Sequence, residues 1–261
     1  MTEQTKTQAD VNETEAHEEQ PLIQHLLDLR STLLRSLLSV LIVFVALFAF
    51  ANEIYEFVSA PLQKFLPENS SMIATDVTSP FLTPFKLTLF VSMFIAAPYI
   101  LYQIWSFIAP ALYKKEKKVA LPLFFSSIVL FYLGIAFAYY AVFPLVFGFF
   151  TSVGPQSVAV MTDISNYLGF VLKLFFAFGV AFEIPVATVL LISSGAISPK
   201  NLAEKRPYVI VTCFVIGMFL TPPDVISQLM LALPIWLLFE TGLFFGRFIK
   251  KPDDHEEILE H

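Results

Sequence analysis

The sequence predicts an all-α integral membrane protein with six transmembrane helices and both termini in the cytoplasm. Three observations carry that expectation. The 261-residue chain is 56% hydrophobic and 15% charged, with mean hydropathy +0.71, whereas soluble domains are about half apolar and about a quarter charged. Apolar runs recur at or near the roughly 20 residues that cross a hydrocarbon core of roughly 30 Å. The loops between them alternate between basic and nearly free of Lys and Arg, and that alternation sets orientation.

In chain order, residues 1–20 set Glu3, Asp10, Glu13, Glu15, Glu18 and Glu19 against Lys6 alone. Too polar to bury a core, they read as a disordered cytoplasmic tail. They lack the basic start and apolar centre of a secretory signal peptide. From Pro21, Leu22, Leu26, Leu29 and Leu33 recur at helical spacing, with Gln24, Asp28, Thr32 and Arg35 on another side. That pattern is a short interfacial helix feeding into the first span. A single membrane domain then covers 21–248, with spans near 33–51, 86–109, 119–148, 165–194, 207–220 and 225–246. A cytoplasmic tail, 249–261, follows. The fifth and sixth spans read as short. The fifth, about 14 residues, gives roughly 21 Å of helix, so it thins the bilayer or is shielded by neighbours.

Orientation follows from the cations. Arg30 and Arg35 precede the first span; Lys114, Lys115, Lys117 and Lys118 follow the second. Lys200, Lys205 and Arg206 follow the fourth, and Arg247, Lys250 and Lys251 the sixth. The alternate loops hold only Lys64 and, at a helix edge, Lys86. Pro98, Pro122, Pro144, Pro185 and Pro234 fall in or beside spans, and each bends its helix. Bent helices side by side form a concave wall rather than a straight bundle. The outer loop 52–85 is rich in apolar side chains (Ile54, Tyr55, Phe57, Val58, Leu62, Phe65). It is expected to form a short helix on the outer surface, broken at Pro61.

Catalytic apparatus is missing from the pattern. There is no HExxH, GxSxG or Gly-rich phosphate loop, and His17, His25, His255 and His261 lie outside the spans. The single cysteine, Cys213, excludes an intramolecular disulfide and a Cys-based metal framework. The chain is therefore read as no enzyme, with no catalytic residue, cofactor or metal.

Three sets of residues stand out instead. Glu183 lies inside an apolar span, and an intramembrane acid is a functional-site candidate; the plainer reading is a protonated Glu bonded to a neighbouring helix. Lys173, ten residues earlier, is roughly 15 Å away along the helix and too far for an ion pair. Glu240, nearer the cytoplasmic end, is a weaker candidate. Glu116, among the four hairpin lysines, and Asp28 fall at the cytoplasmic surface. They are either recognition groups or ordinary charges, solvated for Glu116 and paired with Arg35 for Asp28. At the outer surface, residues 221–224 read TPPD, a tight turn whose Asp224 caps the sixth helix, with Gln228 a turn later placed to meet a partner. Gly242 and Gly246 have the spacing that permits close helix contact.

Several stretches together resemble the TatC family, the polytopic receptor subunit of the twin-arginine protein translocase. They are HLLDLR at 25–30, SAPL at 59–62, MIATDVTSPF at 72–81, FIAPALYKKE at 107–116, FEIPV at 182–186, KRPY at 205–208 and FLTPPDVISQ at 219–228. The resemblance implies six spans, a cupped shape and a bacterial inner membrane location. It implies binding of the twin-arginine motif of signal peptides on folded precursors, and assembly with single-span TatA/TatB-type subunits in a complex that also self-associates. No nucleic acid is involved. By motif, Asp28, Arg30, Phe107 and Glu116 match signal-peptide positions, and Pro61 matches a structural proline of the outer loop. Glu183 matches the intramembrane acid, and Thr221, Asp224 and Gln228 a partner-subunit contact. Asp28 stands where some members carry Glu, and Thr32 where some carry a second basic residue.

Two other classes compete with this reading. A proton-coupled transporter would use Glu183 as its relay, but the chain shows no internal repeat. A structural scaffold would leave neutralisation of Asp28 and Glu116 silent.

Overall fold

The computed structural model describes residues 3–63, 72–112, 117–153, 162–221 and 225–248. Ten α-helices run in order: α1 (Glu3–Phe48), α2 (Ala51–Gln63), α3 (Ser79–Leu112), α4 (Lys117–Phe137), α5 (Phe143–Val153), α6 (Ile164–Ala181), α7 (Ile184–Ser193), α8 (Pro199–Glu204), α9 (Arg206–Leu220) and α10 (Val225–Gly246). A π-helical segment, Ala138–Val142, joins α4 to α5. Among the described residues the only extended pairing is a two-residue parallel contact, Met72 opposite Thr162 and Ile73 opposite Asp163. The all-α class holds.

Among the described residues five stretches are long and apolar enough to cross a membrane, with α9 a sixth and shorter apolar helix. Their side chains explain this packing: Leu33, Leu37, Ile42 and Val45 of α1 are outward and exposed, as suits a surface facing lipid. This is a multi-pass membrane protein. Inside, α6 is the hub, packing against α3, α4, α9 and α10. It buries Leu168, Val171, Leu172, Leu174 and Phe178 in one core with Leu87, Phe143, Leu231 and Ile235. Glycines bring helices close there: a Cβ on Gly134 of α4 would lie 2.4 Å from the Phe178 carbonyl oxygen of α6. Gly242 and Gly246 of α10 likewise face α7 at Pro185 and Ile192. The spacing noted in the sequence is a helix seam.

Several boundaries differ from expectation. The first helix begins at Glu3, so residues 3–20 are helical rather than without structure. They contain no Gly or Pro and are rich in Glu, Gln and Ala, which favour a helix. Helix α2 continues through Pro61 to Gln63 instead of breaking at it. The sixth span is not short: α10 has 22 residues, about 33 Å, with Pro234 accommodated inside it. The fourth expected span is two helices, α6 and α7, interrupted at Phe182–Glu183. Pro185 lacks an N–H, and its ring clashes with the carbonyl four residues back. Similarly, Pro144 follows the π turn in which Phe143 N–H donates to the Ala138 carbonyl, a bulge that absorbs the lost bond. The bends turn α3, α4, α6 and α7 around a cavity.

Candidate functional site

That cavity has a volume of about 520 Å³ and is lined by Leu101, Trp105, Phe131, Val180 and Leu190, with Ser127 and Glu183 as its polar side chains. Glu183 is there because the helix breaks beneath it. Its own N–H reaches the Val180 carbonyl and its carbonyl accepts from Ala187, so the backbone on both sides stays bonded through the kink. Ser127 of α4, buried, donates its hydroxyl to Glu183 Oε2. The other oxygen, Oε1, is buried without a partner. An unsatisfied buried oxygen is costly, so the carboxyl retains hydrogen-bonding capacity that the fold does not use. The bond to Ser127 is the contact with a neighbouring helix that the plainer reading expects.

Asp28 and Arg30 lie midway along α1, well before its contact with Phe85. Phe44 and Phe48 pack edge-on against Phe85 of α3, and the two helices run alongside each other. Counting residues from that contact, Asp28 lies roughly 24 Å along α1 and Phe107 roughly 33 Å along α3. Both lie on the same side of that contact. Asp28 and Arg30 are exposed and Phe107 half-buried. Among the described residues Asp28 makes no ion pair, so the expected Asp28–Arg35 pairing does not form. Glu116 lies outside the described residues, between Leu112 at the end of α3 and Lys117 at the start of α4.

Thr221 and Gln228 each bond a backbone carbonyl of α9. Gln228 Nε2 donates to the Phe214 carbonyl at 2.8 Å, and Thr221 Oγ1 donates to the Gly217 carbonyl at 3.0 Å. Gln228 thus ties α10 to α9 and has its amide donor occupied inside the fold. Asp224, expected to cap α10, lies outside the described residues, and of Pro61 only the backbone within α2 is described.

Two polar constructions escaped the sequence reading. Arg206, at the start of α9, forks onto Glu240 of α10, Nε to Oε1 at 2.6 Å and a terminal nitrogen to Oε2 at 2.8 Å. The pair walls a cavity of about 330 Å³ that also touches Arg247. Glu240 is therefore structural, and a lone acid near a basic helix start was the available signal. Asp163 caps α6 by accepting from the N–H groups of Ser165 and Asn166. Its other oxygen accepts from Thr75 N–H at 3.0 Å and Thr75 Oγ1 at 2.6 Å. These bonds hold its carboxyl down to about 2, the Thr75 hydroxyl first among them. One Asp clasps the segment before α3 to the start of α6.

Residues 24–234 match the family model described as Sec-independent protein translocase protein (TatC). A protein of that name from Azotobacter chroococcum is 60% identical over 240 residues, covering 92% of this chain and 94% of the relative. The Escherichia coli K12 protein is 58% identical over 239 residues, covering 91% and 93%. Among solved structures, a crystal structure of the twin arginine translocase receptor TatC superposes with TM-score 0.77 at 41% identity. It covers 85% of this chain and 98% of its own. A second, in DDM, gives TM-score 0.78 at the same identity. The chain belongs to the TatC family of Sec-independent protein translocases.

Proposed function

We propose that this chain is the receptor for twin-arginine signal peptides and a core subunit of the translocase that moves folded proteins across the bacterial inner membrane. It is a transport component and not an enzyme. The observation that carries the reading is the exposed Asp28 of α1, which makes no ion pair among the described residues and lies on the same side of the Phe44–Phe85 contact as Phe107 of α3. Glu116 follows α3 by four residues. A guanidinium offers a planar fork to a carboxylate that lysine cannot reproduce, so two carboxylates here read two adjacent arginines, with Arg30 and Phe107 beside them. The apolar part of the peptide then lies in the cavity that Glu183 opens onto.

In this reading the six spans run with both termini cytoplasmic, and α9 counts as the fifth. Single-span TatA/TatB-type subunits engage the outer ends of α9 and α10, around Thr221, Asp224 and Gln228. A reporter fused after Lys251 registers the cytoplasm, and one inserted between Thr151 and Thr162 the outside; the reverse pattern refutes the orientation. A photo-crosslinker at residue 116 captures an RR signal peptide and not a KK peptide. Glu116→Gln and Asp28→Asn each weaken RR binding about tenfold, the loss of one charged hydrogen bond. Normal RR binding with intact rejection of KK in the double variant would refute the assignment.

A further inference from the structure

Beside the Glu183 cup, with which it shares Phe176 and Val180 as wall residues, lies a second groove of about 450 Å³ bordered by α3, α6 and α9. Its wall on α6 is one helical stripe, Lys173, Phe176, Ala177, Val180 and Ala181, the spacing of a single face, and Ile184 at the start of α7 extends it. Phe90 closes it on α3 and Ile216 and Leu220 on α9. Lys86 precedes Phe90 by one turn on α3, so it shares that face and lies roughly 6 Å nearer the start of the helix. Both lysines are exposed, and neither forms an ion pair among the described residues.

Lys173 presents an electrostatic problem. It sits about 14 Å along α6 from the helix start. The carboxylates of Asp163 and Glu183 are each ten residues from it, about 15 Å along the axis in opposite directions. An ammonium at that depth in hydrocarbon is costly unless it reaches an anion or the interface. The groove offers a route. Helix α9 has 15 residues, about 22 Å, short of a normal bilayer, and its last residue, Leu220, lies on this groove. A bilayer that thins to match the short span brings a lipid headgroup lower beside it.

We propose that this groove is a binding site for an anionic phospholipid, its phosphate between Lys86 and Lys173 and one acyl chain along Phe90, Phe176, Val180 and Ile216. The two cations supply charge-assisted contacts to phosphate, and a zwitterionic headgroup carries its own cation against them. The apolar stripe takes the chain. A partner helix bearing a carboxylate is the competing occupant. It would satisfy Lys173 but leave Lys86, a turn above the groove, without purpose. That the lipid comes from the outer leaflet rests on the orientation proposed above. Binding in detergent does not, so a reversed topology would change the leaflet and leave the site standing.

The test is native mass spectrometry of the full chain in detergent micelles, titrated with phosphatidylglycerol or phosphatidylcholine. Wild type retains one phosphatidylglycerol under conditions that strip phosphatidylcholine. The double variant Lys86→Gln, Lys173→Gln binds phosphatidylglycerol at least about tenfold more weakly, while Lys173→Arg keeps it. Ile216→Trp fills the groove with both lysines in place and also loses the lipid. Unchanged retention in the double variant or in Ile216→Trp, or equal retention of phosphatidylcholine by wild type, overturns the proposal. So does a wild type that keeps no lipid but holds a Glu-bearing single-span helix through Lys173.

Discussion

Ser127 on α4 and Glu183 at the α6–α7 break are joined by a hydrogen bond that occupies one carboxyl oxygen and leaves the other buried without a partner at the wall of the cavity. The serine fixes the direction in which the acid points. Glu183→Gln keeps both an acceptor for Ser127 and a polar atom for the cavity, so export of a twin-arginine reporter stays near wild type. Glu183→Ala removes both and lowers export about tenfold, the loss of one strong hydrogen bond. Ser127→Ala falls between them. Should Gln fail as badly as Ala in a folded protein, a proton or a charge is what the site needs.

The seam between α7 and α10 is the tightest test of packing. A Cβ at Gly242 would stand 2.7 Å from Pro185 Cα and 2.9 Å from Thr188 Cβ, and neither is the free end of a flexible chain. Gly242→Ala is expected to cost about 1–3 kcal/mol through forced separation of the helices, measured by denaturation in micelles. Gly148→Ala, where nothing lies within 4 Å, serves as the control and changes little.

Arg206 and Glu240 make a two-point contact that depends on the planar fork. Arg206→Lys retains charge but loses one of the two bonds, and lowers the melting temperature nearly as far as Arg206→Ala. The exchange Arg206→Glu with Glu240→Arg restores most of the loss. Lack of rescue by the exchange would show that the pair matters through its neighbours and not through each other.

The Asp163 clasp carries a pH dependence of definite sign. Its folded carboxyl titrates at about 2 against 3.8 ordinarily. The stabilisation is therefore complete above about pH 4 and disappears as pH falls through about 2. Hydrogen-exchange protection of the Thr75 amide, corrected for its intrinsic rate, follows that curve. In Asp163→Asn the step flattens. A midpoint near 4 in the wild type would mean that the clasp is not formed in solution.

Much of this was legible because membranes impose simple rules. Apolar length located the spans, and α10 spans the predicted residues 225–246. The proline at 185 signalled a bent helix. What escaped reading was pairing across long separations. Ser127 is one hydroxyl in an apolar run, and nothing local says that it meets a residue 56 positions on. Arg206 and Glu240 stand 34 apart, and each resembled a helix-end charge. Gln228 looked free for a partner because its acceptor, the Phe214 carbonyl, is backbone and leaves no trace in a side-chain pattern. The helix over residues 3–20 was missed because tail composition was weighed over propensity.

The clasp between Thr75 and Asp163 spans 88 positions of the chain, and that separation orders the birth of the protein. Neither strand of the little pair has a mate until residues 162–163 have been synthesised, after α1 to α5. Closing it ties the segment before α3 to the segment before α6, with a loop-closure penalty that grows only slowly with length.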